Sequence, residues 1–381
     1  MESALKNKPR LWPFQSSGPL PVTRNISVLV PLRRLWYRLT HWETWDWRIK
    51  YILIGPAWIW YCLRARSLWF FTASNPTLTF GGFDGESKKE MYAQLPPGSY
   101  PKSIYVSPDL SFQELENLLQ DRQYEFPFAV KPDVGKMGFM FRRINSPAQL
   151  KAYHGGIQCE YIIQELVKHP IEVSVFYYRF PHAQKGTITG FIRKDFLEVT
   201  GDGRSTLWQL MLACPRLQFR LEEMKAKHTG KLDQILCENE KYCLSPALNL
   251  SRGGRLVSLE KEKDDRLLKI FDDLSHYAGN FYYGRYDIKC ESIEALKEGN
   301  FSILEYNGSG AEPHHVYGNG YNLWQACKIL VAHWHVLYHI SKINRANGTL
   351  YWDFRRGREF LQQTATHLKK LRQLDLQTPL T

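Results

Sequence analysis

From residue 81 onward the apolar positions fall into short runs with two periods. IEVSVFYY (171–178) alternates apolar and polar side chains, and so does GTITGFIRK (186–194), so both read as half-buried strands. FPFAVKP (126–132), MFRRI (140–144), EYIIQEL (160–166), YYGRYDIKC (282–290) and FSILEYN (301–307) read as further strands, and PPGSYPKSIYV (96–106) as a turn running into one. SFQELENLLQD (111–121) carries Leu115, Leu118 and Leu119 at helical spacing. Its Ser111, with Glu114 three residues on, predicts a capping box. Helices are also predicted from Ser87, over 146–154, over 261–278 and over 321–342. The tail 355–374 reads as a basic helix with a rough stripe of Phe360, Leu361, Leu368 and Leu371, which either docks on its own domain or shares an anionic surface with the N-terminal segment. No internal repeat is present.

The first eighty residues have a different texture. They hold eight of the twelve tryptophans, with Arg33, Arg34, Arg38, Arg48, Lys50, Arg64 and Arg66 interleaved. The most apolar run, YILIGPAWIWYCL (51–63), has thirteen residues with Gly55 and Pro56 inside it, too few for a helix that needs about 20 to cross a bilayer. Trp and Tyr favour the membrane interface, and Arg favours anionic headgroups. Two readings follow: a membrane-surface element, or an aromatic arm packed on the protein's own core. Single-stranded nucleic acid stacked on these rings is disfavoured, because the segment is more apolar than that role needs.

Charge sharpens this division. The chain of 381 residues carries a formal charge of +12, but residues 81–341 are nearly neutral, with 31 basic and 32 acidic side chains. Residues 1–80 hold 11 basic against 3 acidic, and residues 342–381 hold 8 against 3. A whole-protein nucleic-acid surface is therefore not indicated. The seven cysteines show neither a C-x-x-C pair nor zinc spacing and read as free thiols in a reducing compartment. No cleavable signal peptide is visible, which together with the thiols points to the cytoplasm.

The candidate chemistry lies at strand ends. Asp287 sits in RYDIK; Glu305 and Asn307 sit in LEYN, on one face by alternation. Two carboxylates and an amide oxygen form a hard-ligand set of the kind that holds Mg²⁺ beside phosphates. Lys131 ends a strand and is followed by a loop with Gly135 and Gly138, where backbone N–H groups can approach phosphate oxygens. It is not a Walker A loop. YIIQELV (161–167) ends another strand, with Glu172 beyond it. His335 and His339 have a spacing that can bind zinc, but no third ligand is indicated, so they read as core or surface side chains.

In this order, strand lysine, glycine loop, strand and hinge, glutamate, Arg-x-Asp and Glu-x-Asn, the sequence resembles the ATP-grasp superfamily over roughly residues 86–340. GRYDIK and ILEYNGSGAEP resemble D-alanine–D-alanine ligases, VTGDGRSTL (199–207) is similar to a segment of cyanophycin synthetases, and NLSRGG (249–254) is similar to cyanophycin synthetases and ribosomal-protein glutamate ligases. The resemblance implies an α+β fold of two α+β subdomains clasping ATP, with an atypical aromatic and basic N-terminal segment and a C-terminal helix. It implies that Lys131 and Lys88 contact ATP phosphates beneath Gly135 and Gly138, with Asn249 and Arg252 nearby. Gln164, Glu165, Leu166 and Val167 would form the adenine hinge and Glu172 would take the ribose. Arg285 would stabilise the transferring phosphoryl group, Asp287, Glu305 and Asn307 would hold Mg²⁺ or Mn²⁺, and Gly308 and Gly310 would leave room for substrate. His314 and His315 follow that strand and could reach substrate or phosphate.

The domain organisation expected is an N-terminal segment (1–80), a small subdomain and hinge (81–167), a large subdomain with the metal site (168–342) and the basic C-terminal helix (343–381). The implied activity is ATP- and Mg²⁺-dependent joining of a carboxylate to an amine through an acylphosphate, releasing ADP and phosphate. The substrates would be small or lipid-linked, and the enzyme cytoplasmic, with an anionic membrane surface as a partner if the N-terminal segment lies on one. The rival readings are an ATP-binding membrane-associated protein that stops at phosphoryl transfer, or one with no catalysis. A thiol or hydroxyl acceptor is also open. Most ATP-grasp enzymes begin with a βαβ domain, which is not evident here, so the resemblance leaves the substrate unnamed.

Overall fold

The computed structural model describes residues 35–36, 39–214, 217, 220–245 and 254–377. In chain order the strands among them are β1 (Ser103–Val106), β2 (Phe128–Pro132), β3 (Arg142–Ile144), β4 (Tyr161–Glu165), β5 (Ile171–Tyr178), β6 (Thr187–Asp195), β7 (Leu197–Thr200), β8 (Lys241–Ser245), β9 (Arg255–Ser258), β10 (Tyr283–Cys290) and β11 (Phe301–Asn307). They form a four-stranded sheet ordered β1-β4-β2-β3, a five-stranded sheet ordered β11-β10-β5-β6-β9, and the pair β7-β8. The α+β class is observed. Contacts divide the chain into two compact units, one of residues 53–195, 256–315 and 328–381, the other of residues 1–52, 196–255 and 316–327. Both larger sheets lie in the first unit, so the division differs from the four consecutive segments expected.

In that first unit, the small sheet buries Ile104, Val106, Phe128, Val130, Tyr161 and Ile163 against helices Phe112–Asp121 and Pro147–Gly156. The first helix begins as predicted: the Ser111 side chain accepts from the Glu114 N–H, and the Glu114 carboxylate accepts from the Ser111 N–H. The tail forms helix Phe354–Gln377 and docks here. Leu371 is buried in this core, Arg142 Nη1 donates to Asp375 Oδ1 at 2.9 Å, and His367 Nε2 lies 2.8 Å from the Val134 carbonyl oxygen. Docking on its own domain is the reading of the tail that the structure supports.

The large sheet has two unlike faces. One buries Val173, Val175, Tyr177, Phe191, Tyr286, Ile288, Ile303 and Tyr306 against helix Asp265–Ala278, which contributes Leu267, Phe271 and Leu274. Alternation sends Glu172, Ser174, Lys194, Arg285 and Asp287 to the opposite face, where the buried Phe176 and Ile192 also lie. A register shift between β10 and β11 at Asp287/Ile288 brings Glu305 to that face while Ile303 and Tyr306 both enter the core. A third cluster, largely aromatic, gathers Phe70, Phe71 and Phe80 with Tyr61, Tyr283 and Leu337. Asn75 fixes this segment. Its Nδ2 donates to the carbonyl oxygens of Gly81 (3.1 Å) and Tyr283 (2.9 Å), and its Oδ1 accepts from the N–H groups of Tyr282 (2.9 Å) and Tyr283 (3.1 Å). A buried side-chain amide is thereby satisfied at both ends. The expected boundary at residue 80 thus falls inside a packed cluster.

The second unit contains a core of Leu197, Val199, Leu207, Met211, Leu221, Met224, Leu236 and Leu244 around β7, β8 and helices Leu207–Ala213 and Leu221–Lys227. The VTGDGRSTL stretch has a local structural role in it. Asp202 Oδ1 accepts from the N–H groups of Arg204 (2.9 Å) and Ser205 (2.7 Å), and Thr206 with Gln209 forms a capping box that opens the next helix. Trp42 is buried in the same unit, its Nε1 donating to the Tyr321 carbonyl at 2.8 Å.

Gly308 offers a test of the packing around residues 81–83. A Cβ there would stand 2.7 Å from the Gly81 carbonyl oxygen and 2.9 Å from Gly82 Cα, both backbone atoms that cannot turn away. Gly308→Ala should lower unfolding free energy in urea by about 1–3 kcal/mol. Gly230→Ala, where a Cβ meets nothing within 4 Å, should change it by no more than about 0.5 kcal/mol. Equal effects would contradict the packing described.

Candidate functional site

The polar face of the large sheet gathers charge by register. Across β11, β10 and β5, Glu305 pairs with Asp287 and Asp287 with Ser174. One step along, Lys289 pairs with Glu172 and Glu172 with Lys194 of β6. One step the other way, Arg285 pairs with Asn307. Residues two apart on a strand share a face, so these side chains stand in adjoining rows.

Asp287 is the centre. Arg285 donates to it from Nε (3.2 Å) and Nη2 (3.1 Å), Lys194 Nζ lies 3.1 Å away, Ser174 donates its hydroxyl, and Asn307 Nδ2 is 3.4 Å from Oδ2. Burial alone would raise the Asp287 carboxyl, but Arg285 and Lys194 outweigh it and hold it well below the usual carboxylate range. The same pairing keeps both bases charged: burial works against the Lys194 ammonium and the Arg285 guanidinium, and the neighbouring carboxylates reverse it. Lys194 Nζ also lies 2.9 Å from Glu172 Oε1. Arg285 Nη1 reaches the Glu312 carbonyl at 3.0 Å and His314 Nε2 at 3.1 Å. Burial and the adjacent guanidinium keep the His314 imidazole neutral. His314 Nδ1 and Ser309 Oγ are buried without a hydrogen-bond partner among the described residues.

The lysines ahead of the glycine loop approach this face. Ser87 caps helix Lys88–Tyr92 and donates to Asp133 Oδ2 at 2.6 Å. Lys88 Nζ then lies 3.3 Å from the Asp133 carbonyl, 3.2 Å from the Gly135 carbonyl and 3.7 Å from Glu305 Oε1. Lys131, on β2, extends over the Tyr92 ring. Burial lowers its pKa to about 8, with Glu305 and Asp133 opposing. Glu86 is shifted the other way, raised to about 7 by burial, with Glu305 and Asp84 adding to the rise. In the loop itself Gly138 adopts a φ of 72° with open space around it, and Lys136 Nζ holds Asp84 at 3.0 Å.

The other expected residues fall as follows. Gln164 and Glu165 lie in β4, paired to β2 and β1, and the Gln164 amide donates to Tyr92 (3.1 Å) and Ser103 (2.8 Å). Leu166 and Val167 continue into the link to β5, where the Val167 carbonyl accepts from Lys289 Nζ at 3.3 Å. Gly308 and Gly310 pack against residues 81–83, and a Cβ on Gly310 would fall on the Phe83 carbonyl oxygen, so close backbone approach is one reason these are glycines. Asn249 and Arg252 lie outside the described residues. Lys194 was not foreseen. Its signal was the alternation of GFIRK, which fixes its face, but only the cross-strand register places it beside Asp287.

Asp287, Glu305 and Asn307 fit a hard divalent cation in donor type and share one face. Among the described residues no group of three or more His, Cys, Asp and Glu side chains is placed to hold a metal. The oxygens of Asp287 are engaged by Arg285, Lys194 and Ser174. A cation at Asp287 therefore requires those two bases to find other anions.

Asp287→Asn would leave Lys194 and Arg285 buried with one anion fewer. It should cost about 3–5 kcal/mol of stability at neutral pH, read from urea unfolding. The folded-state pKa of Asp287 is depressed, so its contribution is present above the ordinary carboxylate range and is lost as pH falls below it. The variant should accordingly lose part of the wild type's acid sensitivity. Matching unfolding curves at neutral pH would contradict the pairing.

No protein-family model and no curated protein matches the sequence. Solved structures do match. A bifunctional glutathione synthetase from Pasteurella multocida is 14% identical, covering 64% of this chain and 35% of its own, with a TM-score of 0.40. A D-alanine–D-alanine ligase from Bacillus anthracis is 14% identical, covering 69% of each chain, with a TM-score of 0.37. PsnB, an ATP-grasp ligase solved with a minimal precursor, is 16% identical, covering 65% of this chain and 60% of its own, with a TM-score of 0.33. This chain therefore spans about a third of the glutathione synthetase's length and less than two thirds of PsnB's.

Proposed function

We propose that this chain is an ATP-grasp enzyme that uses ATP to join a carboxylate to an amine. The observation that carries the reading is the convergence of four bases, Lys88, Lys131, Lys194 and Arg285, around Asp287, Glu305 and Asn307 beside a glycine loop. Buried bases paired to acids on a polar sheet face suit a polyphosphate arriving with its cation: the phosphates supply new anions for Lys194 and Arg285, and Asp287 is released.

In this reading Lys88, Lys131 and Lys194 bind phosphate oxygens, with Gly135 and Gly138 allowing backbone N–H groups close to them. Leu166 and Val167 border the adenine, with Gln164 and Glu165 anchoring that edge in the sheet. Glu172 takes the ribose hydroxyls while keeping its bond to Lys194. Asp287, Glu305 and Asn307 would hold Mg²⁺ or Mn²⁺, which would supply charge neutralisation to the phosphates. A substrate carboxylate oxygen attacks the γ-phosphorus, the bond to the bridging oxygen breaks and ADP leaves. Arg285 stabilises the equatorial charge of that transfer. The amine nitrogen then attacks the acyl carbon of the acylphosphate, loses a proton and expels phosphate. The buried Ser309 Oγ and His314 Nδ1 are available to substrate polar groups.

The test is ADP release with Mg²⁺ and panels of amino acids and small carboxylates, with products identified by mass spectrometry. The expected product is an amide formed with one ADP per bond, and Glu305→Ala should lower turnover about a hundredfold or more while still folding. A folded Glu305→Ala protein with wild-type turnover would overturn the site. A phosphorylated product that no amine, thiol or alcohol converts further would replace the ligase with a kinase-like activity.

A further inference from the structure

Helix Trp47–Ala65 is apolar on both sides. One side enters the protein: Ile54, Tyr61 and Cys62 are buried, and Trp58 packs with ring centroids 5.0 Å from both Phe70 and Trp334. The opposite side carries Ile49, Ile52, Leu53, Ile59, Trp60 and Leu63, spaced three and four apart around Pro56, and each is 46–74% exposed. Leu35, Trp36 and Leu39, just upstream, are also exposed. A helix apolar all round is ordinarily enclosed by protein or by lipid, and scattered exposure does not account for a continuous stripe. No helix among the described residues is long and apolar enough to cross a membrane.

Charge identifies the occupant. Residues 35–83 contain two acids, Glu43 and Asp46, against Arg38, Arg48, Lys50, Arg64 and Arg66, and no acid falls within the helix itself. Lys50 turns inward to the Tyr317 hydroxyl, but Arg64 and Arg66 are exposed at the C-terminal end of the stripe, with Arg64 against the Trp60 ring. An apolar stripe with Trp at its edge and arginines beside it fits the headgroup region of an anionic bilayer. We propose that the outward face of helix Trp47–Ala65 rests on an anionic lipid surface and holds the protein at the membrane without crossing it. The proposal is independent of the catalytic reading.

The experiment is flotation of the full chain with vesicles of phosphatidylcholine alone and of phosphatidylcholine mixed with phosphatidylglycerol. The wild type should float with the mixed vesicles and far less with phosphatidylcholine alone. Ile52→Asp combined with Leu63→Asp, both at exposed positions, should reduce the floated fraction about tenfold or more, with melting temperature and elution volume unchanged. Arg64→Gln with Arg66→Gln should remove the preference for phosphatidylglycerol. Wild type left at the bottom of the gradient with both vesicles would overturn the proposal, as would equal flotation of the double Asp variant. A dimer in sedimentation that the double Asp variant splits would assign the face to self-association instead.

Discussion

A buried carboxylate with two basic partners imposes the strictest constraint in this chain. Asp287, Arg285 and Lys194 each lie within 9% of full burial, and no one of them is tolerable there alone. Their side chains meet because β10 lies between β11 and β5, with β6 beyond, in a register that aligns Glu305, Asp287 and Ser174 in one row and Glu172 and Lys194 in the next. Tyr286 and Ile288 alternate with them and enter the apolar core on the other side. The core therefore holds the register, and the register holds the charges. A slip of one residue in β10 would exchange the two sets.

How much of this was legible follows from the range of the interactions involved. Local signals worked: Ser87 and Ser111 cap the helices expected, and Ile171–Tyr178, read from its alternation, and Phe301–Asn307 are strands with the limits expected. That Asp287, Glu305 and Asn307 come together on paired strands was legible because two short motifs carry them. Lys194 was not, since its meaning depends on pairing between β5 and β6. The role of Gly308 and Gly310 in packing against residues 81–83 was equally hidden, because it joins segments more than two hundred residues apart in the chain. The core of residues 197–244 carried only a resemblance, and the structure gives its VTGDGRSTL stretch a turn and a cap.

The N-terminal segment shows a different limit. A helix apolar on both faces has little periodicity to read, and the sequence excluded only a spanning helix over the run that holds Gly55 and Pro56; a helix of 19 residues runs through them. Composition posed two alternatives, an aromatic arm on the core or a membrane-surface element. The structure divides the segment by side chain: Trp58, Phe70 and Phe71 belong to the aromatic core, while Ile52, Trp60 and Leu63 face outward. Burial of the first group explains why the segment stays with the body, and it leaves the second group to be covered.

The central claim is that Asp287 is held by Lys194 and Arg285 until phosphate oxygens take those bases over. The most direct measurement is a crystal structure of the full chain with a non-hydrolysable ATP analogue, which keeps the γ-phosphate, and Mg²⁺. The account predicts nucleotide between the glycine loop and the polar face of the large sheet, with Lys194 Nζ and Arg285 turned from Asp287 towards phosphate oxygens and Asp287 freed for the cation. Nucleotide bound elsewhere, or bound here with Lys194 and Arg285 still closed on Asp287, would contradict it.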